Sequence, residues 1–236
     1  MVKSILGSQL HDALSAVFQC KNHPVLILNK IIYRVQPTYG QDGNEIVEGF
    51  RFSAPETKLG RYNDPTLRLM VCYFSERRTG ALAEVFGRRE VEGSVGVRKV
   101  LIDRDDFESR SVACVKTKRP LRLFDLSKAL IHLNLNQSMV SSTDYELTQQ
   151  LVVYFAENSN LGIDGIVYRS THAPDELCYA VWVRNGEDSP LTTDSIQCLK
   201  DIECDEVPST WDVGESIGME EILTEVLGFS IPNKMA

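Results

Sequence analysis

The chain has no Cys-x-x-Cys pair and no His-Glu-x-x-His motif, which removes the common zinc spacings. No Gly-x-Gly-x-x-Gly follows an apolar run, which removes the Rossmann fingerprint and with it a dehydrogenase of that type. A surplus of positive charge is missing too. The 25 Lys and Arg residues stand against 33 Asp and Glu, a formal net charge of -8. A general grip on nucleic acid is therefore not expected, and an anionic small ligand needs arginines of its own. Long apolar runs are absent, so no membrane-spanning helix is expected. His11 and Asp12 interrupt the first apolar stretch, which argues against a secretory signal. The six cysteines are scattered, several in apolar runs, as free thiols in a reducing compartment would be. The cytoplasm is the expected location, and no bound metal is expected.

The chemistry-bearing residues that are present concentrate in residues 59–88. This stretch opens with Leu59-Gly60-Arg61-Tyr62-Asn63-Asp64-Pro65 and continues through the apolar run Leu69-Met70-Val71-Cys72-Tyr73-Phe74-Ser75. Gly60 and Asn63-Asp64-Pro65 punctuate the chain as turns, and the apolar run has the length of a buried strand. Ala81, Leu82, Val85 and Phe86 then recur at helical spacing, with Glu84 among them. Glu84 either faces solvent, as most helix glutamates do, or is held for chemistry. Arg77 and Arg78 fall near the helix start, where the macrodipole disfavours cations. They are either solvated side chains or help to hold an anion.

A length of 236 residues with 43% apolar content suits one large domain, or a domain with an extension. A helix is predicted over 4–18, with Ile5, Leu6, Leu10, Leu14, Val17 and Phe18 apolar. Residues 25–28 and 31–35 predict a strand or a bent pair. Arg34 lies inside the second run, so it either pairs with an acid in the core or faces a cavity as an anion-binding group. Residues 38–59 read as a long loop with Phe50 and Phe52 as an anchor. Strands are predicted over 97–102, 121–124, 166–168 and 177–183. Residues 103–111 and 134–142 read as loops. Helices are predicted over 128–133, with Asp125 or Ser127 as cap, and over 144–156, with Thr143 or Asp144 as N-cap. After Asn185-Gly186 the composition turns acidic. An edge strand over 195–203 and a last helix over 220–227, stopped by Gly228, are expected there. Ile196, Leu199, Ile202, Trp211, Ile222, Leu223, Val226 and Leu227 favour a tail packed on the domain over a solvated tail or a lid.

The order of these pieces resembles a known family. Tyr33-Arg34 lies in an early strand, Gly60-Arg61-Tyr62-Asn63 follows, and a strand ends in Tyr73-Phe74-Ser75. Ala81-Leu82-Ala83-Glu84 lies in a helix, Asp144-Tyr145 with Thr148-Gln149 opens another, and Asp164-Gly165-Ile166-Val167-Tyr168 leads to Ser170. This pattern resembles the RES domain, whose members are known mostly as bacterial toxins that degrade NAD. The resemblance covers roughly residues 31–184. It implies an α+β fold, an ADP-ribosyltransferase-like mixed β core with flanking helices. It divides the chain into an N-terminal helical extension (1–30), a catalytic domain (31–186) and an acidic C-terminal extension (187–236).

By the same resemblance, NAD is the substrate rather than a cofactor, and an Xre-like antitoxin is the expected protein partner. Glu84, Arg34, Tyr73 and Ser170 are the implied catalytic residues. Arg34, Arg61, Tyr62, Tyr73 and Ser170 are the implied NAD-binding residues, with Tyr62 standing where the family has tryptophan. Cleavage of the nicotinamide–ribose bond passes through an oxocarbenium-like state. Such a state calls for a carboxylate near the ribose and cations on the pyrophosphate. Water, phosphate or a protein side chain would each serve as acceptor. An ADP-ribosyltransferase, with its acceptor surface on the 38–59 loop, and a catalytically silent binding domain are the competing expectations.

Overall fold

The computed structural model describes residues 2–20, 23–52, 59–87, 91–92, 99–204 and 216–232. In chain order the elements begin with helix α1 (Val2–Gln19) and strands β1 (Val25–Leu28), β2 (Ile31–Pro37) and β3 (Leu69–Ser75). Helix α2 (Arg78–Phe86), the short strands β4 (Val91–Glu92) and β5 (Lys99–Val100), and helix α3 (Arg104–Glu108) follow. Next come β6 (Arg110–Thr117), β7 (Leu121–Asp125), α4 (Leu126–Ala129), α5 (Gln137–Val140) and α6 (Glu146–Glu157). The chain continues through β8 (Gly165–Arg169), β9 (Leu177–Arg184), β10 (Leu191–Cys198), β11 (Glu203–Cys204), β12 (Ile217–Gly218) and α7 (Met219–Glu221). Eight strands form one sheet in the order β1-β7-β8-β9-β3-β2-β6-β10. Its strands pair antiparallel except for β7 and β8. The fold is therefore α+β, with a mixed sheet and flanking helices.

Each sheet face is buried for a different reason. On one face, side chains from all eight strands, Leu28, Ile32, Phe74, Val115, Leu123, Val167, Val181 and Leu191 among them, form one cluster. Among the described residues only Phe50 and Phe52 join it from outside the strands. The strands thus bury one another, and the sheet must curl over itself. The other face is covered by helices. Leu10, Leu14 and Val17 of α1 pack with Leu151, Val152 and Phe155 of α6 against Ile166, Ala180 and Trp182. Beside them, α2, α3 and the C-terminal segment share a second cluster built on Leu82, Phe86, Phe107, Leu199, Ile222 and Leu223.

Several local expectations change. The charged run at 103–111 is not a loop. Asp103 caps α3 by accepting the Asp105 and Asp106 backbone N–H groups at 2.9 and 3.1 Å, and β6 begins at Arg110. Residues 25–28 and 31–35 are strands but not a pair, because β1 joins β7 while β2 joins β3 and β6. The helix expected over 128–133 starts at Leu126, capped by Asp125 accepting the Lys128 N–H, and ends at Ala129. The 134–142 loop holds α5, capped by Asn136. Tyr145 stands at the N-cap of α6, while Asp144 accepts the Glu146 N–H at 3.0 Å. The edge strand of the tail is β10, earlier than 195–203. The last helix turns from α into π geometry over Ile222–Val226 before Gly228, whose φ of +69° ends it. Trp211, residues 97–98 and residues 53–58 of the long loop lie outside the described residues.

Candidate active site

β2 and β3 are neighbours in the sheet but share one register pair, Tyr33 with Ser75. Beyond that pair they part, while β2 stays paired to β6 and β3 to β9 over their lengths. The sheet therefore opens between the strand carrying Arg34 and the strand carrying Tyr73. Helix α2 packs against both strands and brings Glu84 to the opening. A pocket of about 310 Å³ here is lined by Tyr33, Arg34, Tyr73, Ser75, Glu84 and Tyr168, among others. An adjoining pocket of about 570 Å³ is lined by Arg61, Tyr62, Tyr73, Glu84, Tyr145 and His172, among others. Both have the size of small-molecule sites. Tyr73, Glu84 and Tyr168 line both, so Glu84 stands at the junction.

Ser170 follows β8 and is buried. Its hydroxyl oxygen accepts the backbone N–H groups of His172 and Ala173, each at 3.1 Å. With its lone pairs engaged, the hydroxyl donates its proton to Glu84 Oε1 at 2.7 Å. This bond fixes one oxygen of a carboxylate that lines both pockets.

The turn before β3 is built around polar side chains. The Tyr73 hydroxyl accepts the Tyr62 N–H at 2.9 Å and donates to Asn63 Oδ1 at 3.0 Å. Asn63 Oδ1 also accepts the Gly60 N–H at 2.8 Å. A Cβ at Gly60 would meet Asn63 Oδ1 at 2.6 Å and the Tyr73 hydroxyl at 2.9 Å, so the close approach requires glycine. The buried Asp64 carboxylate accepts the N–H groups of Thr66, Arg68 and Leu69 at 2.8 to 3.0 Å. Tyr73 thus offers its ring to the pockets while its hydroxyl holds the turn that carries Arg61 and Tyr62. Tyr62 is buried, its ring 4.6 Å from that of Tyr168. Burial pushes the Tyr62 phenol well above its ordinary range, against the pull of Arg61. Burial, reinforced by nearby Cys178 and Glu84, does the same to Tyr168. Both rings form neutral walls.

Arg34 lines the smaller pocket and Arg61 the larger. Arg34 Nη1 reaches across the opening to Cys72 Sγ. Arg61 Nη2 donates to the Ser141 carbonyl at 3.2 Å, and its guanidinium lies 5.4 Å from the Tyr145 ring centre. In both residues Nε is buried without a hydrogen-bond partner, and neither guanidinium pairs with a carboxylate among the described residues. Cations at the edge of a cavity with donor capacity in hand suit an anion.

Arg77 and Arg78 do not join the site. Arg77 pairs with Glu176, and Arg78 lies 4.8 Å from the Tyr33 ring centre with Cys204 Sγ 3.5 Å away. Of the described residues of the 38–59 loop, only Leu59 lines either pocket. Sequence reasoning missed Tyr168 and His172 as lining residues. Tyr168 stands two positions before Ser170 on the same strand face, which was a usable signal. His172 gave none, because only the turn after β8 brings it back to the cleft. Among the described residues, no cluster of His, Cys, Asp or Glu could hold a metal ion.

A family model described as the RES domain matches residues 31–201, from the start of β2 to the turn after β10. No curated protein and no solved structure matches the chain.

Proposed function

The chain belongs to the RES domain family, and on that premise we propose that it is an NAD-degrading enzyme cleaving the nicotinamide–ribose bond. The observation that carries this reading is the position of Glu84, at the junction of two pockets and hydrogen-bonded by Ser170, with Arg34 lining one pocket and Arg61 the other. In this reading the two pockets hold the two halves of one dinucleotide. Arg34 and Arg61 take the pyrophosphate, a task suited to planar guanidinium groups. The scissile ribose lies against Glu84.

The bond from ribose C1′ to the pyridinium nitrogen breaks, and its electron pair neutralises the departing nicotinamide. No general acid is therefore required. Positive charge develops on the ribose, and the Glu84 carboxylate, preorganised by Ser170, stabilises it. The acceptor then bonds to C1′ and gives up its proton to solvent. Tyr73, Tyr62 and Tyr168 line the cleft as aromatic walls. The ADP-ribosyltransferase-like character of the fold, the absence of a cofactor, an Xre-like antitoxin as partner and a cytoplasmic location belong to the same proposal. Among the described residues, no helix is long and apolar enough to cross a membrane.

Nicotinamide release from NAD, followed with and without inorganic phosphate, tests the proposal and names the acceptor. Release without phosphate marks a glycohydrolase, and release only with phosphate marks a phosphorolase. No release by folded protein, free of any bound inhibitor, would move the assignment to a specific transferase or a silent binding domain.

A further inference from the structure

Glu176 is a buried carboxylate, 6% exposed, that lines neither pocket. It ends the turn between β8 and β9 and faces the first turn of α2. Its Oε1 accepts from Thr79 Oγ1 at 2.7 Å and from Arg77 Nη2 at 2.8 Å, and its Oε2 accepts from Arg77 Nε at 3.0 Å. The N-cap of α2, Arg77, makes no capping bond of its own. The carboxylate beside that helix start therefore comes from nearly a hundred residues away, where the macrodipole favours it. The backbone of Glu176 closes the loop that carries Ser170. Its carbonyl accepts the Ser170 N–H at 3.0 Å, and its N–H donates to the Ala173 carbonyl at 2.8 Å.

The seat has no slack. A Cβ at Gly80 would meet Ser75 Oγ at 2.1 Å and Glu176 Cβ at 3.0 Å. One residue thus grips the start of α2 with its side chain and the Ser170 loop with its main chain. The two halves of the Glu84–Ser170 hydrogen bond lie on those two segments. From Thr79 to Glu84 is little more than one helical turn, about 7.5 Å at 1.5 Å per residue, so a shift at the helix start reaches the carboxylate.

We propose that Glu176 is a positioning residue that sets the register of the α2 helix against the Ser170 loop and so holds Glu84 for catalysis. The effect on turnover rests on the NAD-cleavage reading above, whereas the effect on the loop does not. In Glu176→Ala, kcat for NAD falls about tenfold or more, because small displacements of a catalytic group are costly. KM stays within about twofold, because Arg34 and Arg61 are untouched. In a Ser170→Ala background the same change costs little more, because the bond it serves is already gone. Thr79→Val, nearly isosteric and folded even if Glu176→Ala is not, reproduces the kcat loss in part.

Backbone amide exchange gives a readout independent of turnover. In the wild type the His172 and Ala173 amides are bonded to Ser170 Oγ. In both variants they exchange faster, while amides of β3 and β9 do not. Equal exchange at His172 and Ala173 in wild type and variants overturns the proposal. So does a kcat loss that is fully additive with Ser170→Ala. A wild type that releases no nicotinamide overturns the NAD reading instead, and the exchange result then decides this one.

Discussion

Removing the Ser170 hydroxyl takes a proton donor from Glu84 and an acceptor from two backbone amides. Hydrogen bonds to charged groups contribute about 1.5–3 kcal/mol, while the two amides lie in a turn where His172 is exposed and Ala173 half-buried, so their loss adds less. Ser170→Ala is therefore expected to lower kcat for NAD roughly 10–100-fold and stability by about 1–3 kcal/mol. Steady-state kinetics and denaturant unfolding check the two effects, and wild-type kcat in a folded variant would remove Ser170 from the site. Arg34 and Arg61 make a different prediction. Lysine keeps the charge but loses the fork of donors, so Arg34→Lys and Arg61→Lys should each raise KM for NAD about tenfold, with smaller effects on kcat. An unchanged KM in both would place the pyrophosphate elsewhere.

Helix α2 depends on a seat where Gly80 has no room for a side chain. Gly80→Ala is good for helix propensity and bad for packing, and packing wins. A loss of about 1–3 kcal/mol is expected, as for other overpacked sites. Ser75→Ala in the same chain should recover part of it by removing the atom 2.1 Å from the new Cβ. Thermal unfolding of the single and double variants checks this, and no recovery would mean that the strain lies elsewhere. The same element shows what was legible in the sequence. The apolar run of β3, the helical spacing of Ala81, Leu82, Val85 and Phe86, and the Gly60 turn are local signals, and the structure has them where they were read. Strand β6 was hidden because its apolar run at 112–115 is flanked by charge and shows no alternation, being buried on both faces. The seat of α2 was hidden for a stronger reason. Glu176 looks like any loop acid until the fold brings it to Thr79, 97 residues away in sequence.

The acidic C-terminal segment belongs to the same body as the site. Leu199, Ile202, Ile222, Leu223 and Ile231 share a cluster with Leu82 and Phe86 of α2. At its edge Arg104 holds Glu220 through two hydrogen bonds of 2.9 and 2.6 Å. The Arg104 bond holds the Glu220 carboxyl below its ordinary value of 4.5. A depressed carboxyl stabilises the fold above its unfolded value, and that stabilisation is lost as pH falls through the folded value. Glu220→Gln should therefore lower Tm at neutral pH, and the difference should close under acid conditions where the carboxylate is protonated. A Tm difference independent of pH would contradict this.

The central claim, that Glu84 drives bond cleavage in a cleft whose arginines bind the dinucleotide, separates binding from chemistry. The measurement is NAD binding and nicotinamide release by wild type and Glu84→Gln protein side by side. The account predicts a Kd for NAD close to that of the wild type, with nicotinamide release slower by about 10²–10³-fold or more. Glu84→Gln protein that binds NAD and releases nicotinamide at the wild-type rate would contradict it.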